Sequence, residues 1–218
     1  MSMNKPYTGP DELPDLIPVF PLSGALLLPR GQLPLNIFEP RYMTMIDDSL
    51  KSNRIIGMVQ VNGEATGTTS LYSTGCAGRI TSLEESGDGR YLITLTGVSR
   101  YRIIEELPAI TPYRQCRVDF GPFSRDFDEE TDRDDVDRAG VIRALQSFAE
   151  THRLSVDWDG INAAPSDLLV NALAMMSPFG PKEKQALLEA PDLKSRADVL
   201  IAIAEMDIAR GTVSSTLQ

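Results

Sequence analysis

Ile17-Pro-Val-Phe-Pro-Leu22, continued by Leu26-Leu-Leu-Pro29 and Leu33-Pro-Leu-Asn-Ile-Phe-Glu-Pro-Arg-Tyr42, is the stretch that decides the fold. Each proline fixes φ, removes a backbone donor and pushes the residue before it towards extended geometry. Pro18, Pro21, Pro29 and Pro34 therefore cut the segment into very short strands, suited to sheet edges and barrel corners. Glu39-Pro40 reads as a helix entry: Pro40 takes the first helical position, where a missing N–H costs nothing, and Glu39 stands near the positive end of the dipole. Tyr42, Met45, Ile46 and Leu50 follow at roughly helical spacing and give one apolar face. Phe38, Glu39, Arg41 and Tyr42 are expected to form a packed, hydrogen-bonded corner, with direct contact to a partner as the alternative.

Strand signals continue to about Phe120. Arg54-Ile-Ile-Gly-Met-Val-Gln-Val61 is a nearly continuous apolar run, as in a strand buried on both faces, and Gly57 inside it predicts a bulge or a close backbone approach. Gly75-Cys-Ala-Gly-Arg-Ile-Thr-Ser-Leu83 and Arg90-Tyr-Leu-Ile-Thr-Leu-Thr96 flank Ser86-Gly-Asp-Gly89, whose glycines supply the positive φ of a hairpin loop. In the second of these strands one face is apolar and the other at least partly polar. Arg100-Tyr-Arg-Ile-Ile-Glu105 and Tyr113-Arg-Gln-Cys-Arg-Val-Asp-Phe120 add two more strands. Several short strands with turns between them and one early helix predict a closed or nearly closed small barrel, which leaves few free edges.

Beyond Ser124 the composition changes. Asp126, Asp128, Glu129, Glu130, Asp132, Asp134, Asp135 and Asp137 form an acidic run broken in charge only by Arg133. A calcium-loop reading fails, because the position that needs glycine holds Thr131 and the bidentate position holds Asp137. The run is expected to be a solvated linker whose last acids favour the start of the next helix. From Val136 onward the period is helical, with Pro165, Pro181 and Asp192 marking three further helix starts. The domain reading is a flexible leader over 1–14, a barrel over 15–123, an acidic linker over 124–137, a helical bundle over 138–210 and a tail over 211–218.

With 218 residues, 42% of them hydrophobic and 24% charged, the chain is long enough to bury a sizeable core without disulfides. No apolar run reaches the ~20 residues that span a bilayer, and the N-terminus lacks the apolar core of a secretory signal, so the expected location is cytoplasmic. A net charge of −10 opposes binding to a phosphate backbone. Cys76 and Cys116 form no Cys-x-x-Cys pair and are expected to be reduced, partly buried thiols. His152 is the sole histidine and is expected at a helix C-terminus, as a capping side chain; no metal site or cofactor is expected. There is no nucleophile elbow, zinc-protease helix, dinucleotide fingerprint or phosphate loop. Lys194 and Ser195, adjacent on a helix, point about 100° apart and make a poor dyad.

The opening stretch, with Phe38-Glu39-x-Arg41-Tyr42 at its core, resembles the N-terminal, substrate-binding domain of Lon proteases. Gly75-x-x-Gly78-x-Ile80 followed by Gly89 to Ile103, and more weakly Gln185 to Glu189 with Arg196, are similar to the same family. The likeness runs from Ile17 to about Arg210, and the chain ends where the ATPase and peptidase domains of a full-length Lon would follow. The resemblance therefore implies a stand-alone substrate-binding-domain protein without catalytic residues. Its fold would be α+β, a PUA-like β pseudobarrel with one short helix followed by a C-terminal α-helical bundle. Its partners would be unfolded or partly unfolded polypeptides, with a role as adaptor or regulator of a separate Lon-type protease. Contacts are expected from Leu26, Leu27 and Leu28, or from Phe38, Arg41 and Tyr42 around the helix start. Two alternatives stand beside this reading. One is a hydrolase with an unrecognised site. The other is nucleic-acid binding by the barrel through a stripe of Arg79, Arg90, Arg100, Arg102, Arg114 and Arg117.

Overall fold

The computed structural model describes residues 5–63, 70–108, 110–128 and 136–215, with side chains to residue 209. The chain divides into two compact units, residues 1–129 and 130–218. In the first, six strands form one sheet: β1 (Leu16–Pro21), β2 (Gln32–Ile37), β3 (Ile55–Val61), β4 (Leu71–Glu85), β5 (Tyr91–Glu106) and β6 (Arg114–Asp119). Their order is β2-β5-β4-β3-β1-β6, and the second half of β5 also pairs with β6. The ring β5-β4-β3-β1-β6 thus closes on itself, as the strand pattern predicts.

β2 is left outside that ring, paired with the first half of β5 from Gln32↔Thr96 to Ile37↔Tyr91. The Gly97 N–H donates to the Gly31 carbonyl at 2.8 Å, which sets the alternation of the ladder. Leu33, Leu35 and Ile37 therefore exchange bonds with β5, while Gln32, Pro34 and Asn36 turn their backbone groups to the outer edge. Pro34 has no N–H to present there. The β4–β5 turn is the expected hairpin, with Gly89 at φ +80° and the Ser86 N–H bonded to the Arg90 carbonyl at 2.8 Å.

Two apolar layers use the two faces of this sheet. Inside the ring, Ile17, Val19, Val59, Ala77, Cys116 and Val118 surround Tyr101, which is fully buried and donates its hydroxyl to the Met58 carbonyl at 3.1 Å. Gly57 and Gly75 make room for that ring. A Cβ on Gly57 would stand 2.6 Å from the Tyr101 hydroxyl oxygen, and one on Gly75 would overlap both Tyr101 and the Met58 carbonyl. Of the two readings of Gly57, the close approach is the one observed, and what approaches is a tyrosine. On the other face, helix α1 (Pro40–Leu50) lays Tyr42, Met45 and Ile46 against the sheet, with the Tyr42 and Phe20 rings 4.2 Å apart. Pro40 is its first residue and Glu39 its N-cap, as the sequence predicts. Tyr91 and Tyr113 donate to Asp47 and Asp48 at 3.1 and 3.0 Å, tying the end of α1 to β5 and β6.

Two expectations need correction in this unit. Residues 5–14 are not a free leader: Pro10–Glu12 is a 3-10 turn, Leu13 is in the barrel core, and Tyr7 packs against that core beneath the Arg79 guanidinium, 4.2 Å from the ring centroid. The acidic run does not begin as a solvated linker either. Gly121–Phe127 is a 3-10 segment whose Asp126 is buried against Arg100, with Nη2–Oδ1 at 2.7 Å and the Arg100 backbone N–H on Oδ2 at 2.8 Å. The segment is an integral wall of the barrel, because a buried arginine needs a carboxylate brought to it. Residues 129–135 of the run, the leader's first four residues and the last three of the tail lie outside the described residues.

The second unit holds α2 (Arg138–His152), α3 (Trp158–Ala163), α4 (Ser166–Met176), α5 (Pro181–Glu189) and α6 (Leu193–Ser215). The short α3, capped by Asp157 on the Gly160 N–H, was not expected. Asp137 caps α2 through the Gly140 N–H, and Asp192 caps α6 through the Ser195 N–H at 2.7 Å. Buried polar links join α4, α5 and α6: Arg196 donates to the Leu187 carbonyl and to Asn171, and Lys184 to the Met175 carbonyl in the last turn of α4. Burial also lowers the pKa of Lys184. His152 is at the end of α2 as expected, but its partner is a side chain: Nε2 meets Asp207 of α6 at 2.6 Å. The left-handed C-cap of α2 is Arg153.

Candidate functional site

The second half of β4, the first half of β5 and all of β2 form an arm outside the closed ring, so neither of its faces is fully covered. On one face Leu35 and Leu83 flank Ile93, and on the other Leu92 lies between Asn36 and Glu84. Leu83 and Leu92 are 43% and 42% exposed, and Phe38, at the exit of β2, is 61% exposed. Leu83 and Leu92 thus project from opposite faces of the arm. Arginines stand beside Phe38 and Tyr42. The Arg90 guanidinium stands 5.9 Å from the Phe38 ring centroid, and Arg41, paired to Glu39 at 2.8 Å, lies over the Tyr42 ring at 4.5 Å.

The residues proposed from sequence separate into two groups. Phe38 and Arg41 are exposed and adjacent to the arm. Leu26, Leu27 and Leu28 are core residues, and Tyr42 is buried on Phe20; none of the four presents a surface for polypeptide. Leu27 fits into the space left by Gly78, where a Cβ would be 2.7 Å from its Cδ2. The packed-corner reading holds for Tyr42 and fails for Phe38. Leu83 and Leu92 were missed, because in a strand taken as half-polar a single leucine is no signal.

The alternative chemistries find no support in the geometry. The arginine stripe is largely engaged: Arg100 by Asp126, Arg114 by Glu106 at 2.5 Å, Arg117 by Asp15 and Glu105, and Arg90 by Asp88. Arg79 is buried, and of these six arginines only Arg102 is exposed with no ion pair to a described residue. Cys76 and Cys116 are free and buried, and burial raises the Cys116 thiol to about 11, too high for a nucleophile at neutral pH. Among the described residues no group of three or more His, Cys, Asp or Glu could hold a metal, and no helix is long and apolar enough to cross a membrane.

Comparison with known proteins agrees with this geometry. The family model of the ATP-dependent protease La (LON) substrate-binding domain matches residues 16–205. Lon protease 2 of Myxococcus xanthus is 27% identical over 206 residues, covering 88% of this chain and 24% of that protein. Lon protease of Parabacteroides distasonis is 27% identical over 225 residues, covering 96% of this chain and 26% of the relative. The chain thus spans about a quarter of the length of the curated relatives it matches. Among solved structures, a Lon N-terminal domain protein from Xanthomonas campestris has a TM-score of 0.60 at 20% identity, covering 86% of this chain and 97% of that one. The N-terminal domain of the Mycobacterium avium complex Lon protease also has a TM-score of 0.60, at 17% identity, covering 87% and 98%. An α+β fold with this barrel, and a family match over most of its length, place the chain in the LON substrate-binding domain family.

Proposed function

We propose that this chain is a non-catalytic polypeptide-recognition module of the cytoplasm, which captures apolar segments of unfolded or partly unfolded proteins and serves as an adaptor or regulator of a separate Lon-type protease. The observation that carries the reading is the exposure of Phe38 at the exit of β2 and of Leu92 on an arm that the barrel leaves uncovered, with Leu83 exposed on the arm's opposite face. Apolar contact supplies sequence-tolerant affinity, because it depends on area removed from water and not on direction. Arg41 and Arg90 at its border favour acidic or aromatic neighbours in the bound segment.

The test is a fluorescence-anisotropy titration of a permanently unfolded model protein and its native form against the full chain, at low and high salt. Selective, salt-tolerant binding of the unfolded form is expected. The pair Phe38→Ser with Leu92→Ser should weaken it by roughly tenfold or more, since each removes apolar contact on the order of 1–2 kcal/mol. Equal binding by that pair, or no preference for the unfolded form, refutes the assignment of the site.

A further inference from the structure

A further cavity lies at the base of the arm, where β4 and β5 enter the closed ring. It measures about 340 Å³, opens between the 5–7 segment, the β4–β5 pair and the 3-10 wall, and is lined by Tyr7, Arg30, Arg79, Thr96, Val98 and Phe127. Its volume is at the lower end for small-molecule sites and suits one or two residues' worth of ligand.

The charge in this cavity is unbalanced. Arg79 is only 8% exposed, yet among the described residues it meets the Lys5 carbonyl at 2.9 Å and the Tyr7 ring, neither of which carries a formal charge. Arg30 donates to the Asp128 carbonyl, again a neutral acceptor. The one carboxylate on the wall, Asp126, is already held by Arg100 on both oxygens. Among the described residues neither guanidinium has an acid as partner; Arg79 is buried, and Arg30 is exposed at the mouth of the cavity. Burying a guanidinium without its counter-charge is costly, so such a group marks a place where an anion belongs.

The backbone points the same way. Arg30 has φ +65°, a conformation that favours glycine, at a bulge closed by two bonds: the Arg30 N–H donates to the Gly97 carbonyl at 2.9 Å and the Gly97 N–H donates to the Gly31 carbonyl at 2.8 Å. Strain kept at a non-glycine residue is characteristic of functional positions. Thr96 stands opposite Arg79 in the β4–β5 register, with its hydroxyl 2.9 Å from that of Thr81. A fork of guanidinium donors beside hydroxyls, with Tyr7, Val98 and Phe127 as apolar walls, has the chemistry to hold a carboxylate carrying an apolar body.

We infer that this cavity binds an apolar carboxylic acid, with the carboxylate on Arg79 and Arg30 and the apolar group against Tyr7 and Phe127. Two sources supply that chemistry, the free C-terminal residue of a polypeptide and a free small acid. The inference is independent of the polypeptide-binding arm.

The test is amide-detected NMR of the full chain, titrated with N-acetyl-phenylalanine and with N-acetyl-Ala-Ala-Phe, each as free acid and as C-terminal amide, and with inorganic phosphate. Both acids, or one of them, should shift Arg79, Thr96, Gly97 and Val98 saturably, with the amides weaker by about tenfold or more. A tripeptide acid that binds at least as tightly as the single residue identifies a chain terminus, and exclusion of the tripeptide identifies a free acid. Arg79→Gln should abolish the shifts; because it also releases Lys5, Thr96→Val and Arg30→Gln, which leave that contact intact, should each weaken binding several-fold. Equal binding of acid and amide, shifts that map elsewhere, phosphate binding without acid binding, or no saturable shift at about 10 mM overturns the inference.

Discussion

Replacing Asp126 with alanine should open the barrel far more readily than any other change in the acidic run. Its carboxylate receives the Arg100 backbone N–H, Nε at 3.0 Å and Nη2 at 2.7 Å, and both side chains are less than a tenth exposed. The alanine variant strands a guanidinium that remains walled in by the Phe123 ring, 4.7 Å away. Breaking one side of a buried, hydrogen-bonded pair costs about 3–5 kcal/mol. With a urea slope of ~2 kcal/mol/M that is a midpoint shift of roughly 2 M. Cys76 and Cys116 are buried in this unit and serve as the reporter, since their labelling by a thiol reagent in a urea series measures opening of the barrel alone. Asp128→Ala, at an exposed position, should move the midpoint by no more than about 0.5 kcal/mol. The double change Arg100→Met with Asp126→Leu should recover much of the loss, because it removes the stranded charge along with its partner. A shift for Asp126→Ala no larger than that for Asp128→Ala would mean that water levels the pair, and the argument that residues 121–127 are a wall of the barrel would fall.

Other outcomes follow from the same packing. Gly75→Ala drives a methyl into Tyr101 and the Met58 carbonyl and should cost at least about 1–3 kcal/mol, whereas Tyr101→Phe, which loses one buried hydrogen bond, should cost about 1 kcal/mol; chemical denaturation ranks them. Phe38→Ser and Leu92→Ser should each change stability by no more than about 0.5–1 kcal/mol while weakening capture of unfolded protein, so a large loss of stability would return Phe38 to the core. Burial, with the bond to Asp48 second, raises the Tyr113 phenol from its ordinary 10.0 to about 12. The folded state therefore favours the protonated phenol: the stabilisation is complete below pH 10 and is lost as pH rises through 12. Tyr113→Phe should flatten the loss of stability over that interval, and an unchanged alkaline profile would contradict the assignment. Neither thiol should react with a disulfide reagent at pH 8 in the native protein, and both should react in urea.

What the sequence made readable was local. Prolines and the Glu39-Pro40 helix entry act on their own backbone, so β1, β2, the β4–β5 hairpin and the start of α1 fall where expected, whereas the strands read separately at 90–96 and 100–105 are one continuous β5 and 26–29 is not a strand. Apart from these and the short, locally capped α3, the errors concern long-range pairing. Asp126 looks like the first of a run of solvated acids until Arg100 meets it across the sheet. His152 looks like a helix cap until α6 brings Asp207 to it. Phe38 reads as core because it follows Leu33, Leu35 and Ile37 and precedes the helix entry, and its exposure depends on β2 standing outside the closed ring. For the same reason Leu26 to Leu28 could not be told from a contact surface: their burial depends on Gly78 and Gly97 thinning the sheet beneath them.

The edge of β2 has a bearing on how clients could be released. A surface that holds unfolded chains beside an open strand invites those chains to zip onto the strand, and growth of that kind is hard to reverse. Only the Gln32 and Asn36 amides face outward along β2, and Pro34 between them cannot donate. A visiting segment can thus rest its side chains on the arm without gaining a continuous ladder of main-chain bonds. On the proposed reading of the arm, proline at this position keeps a captured segment from being locked on, which is what a module handing polypeptides onward requires.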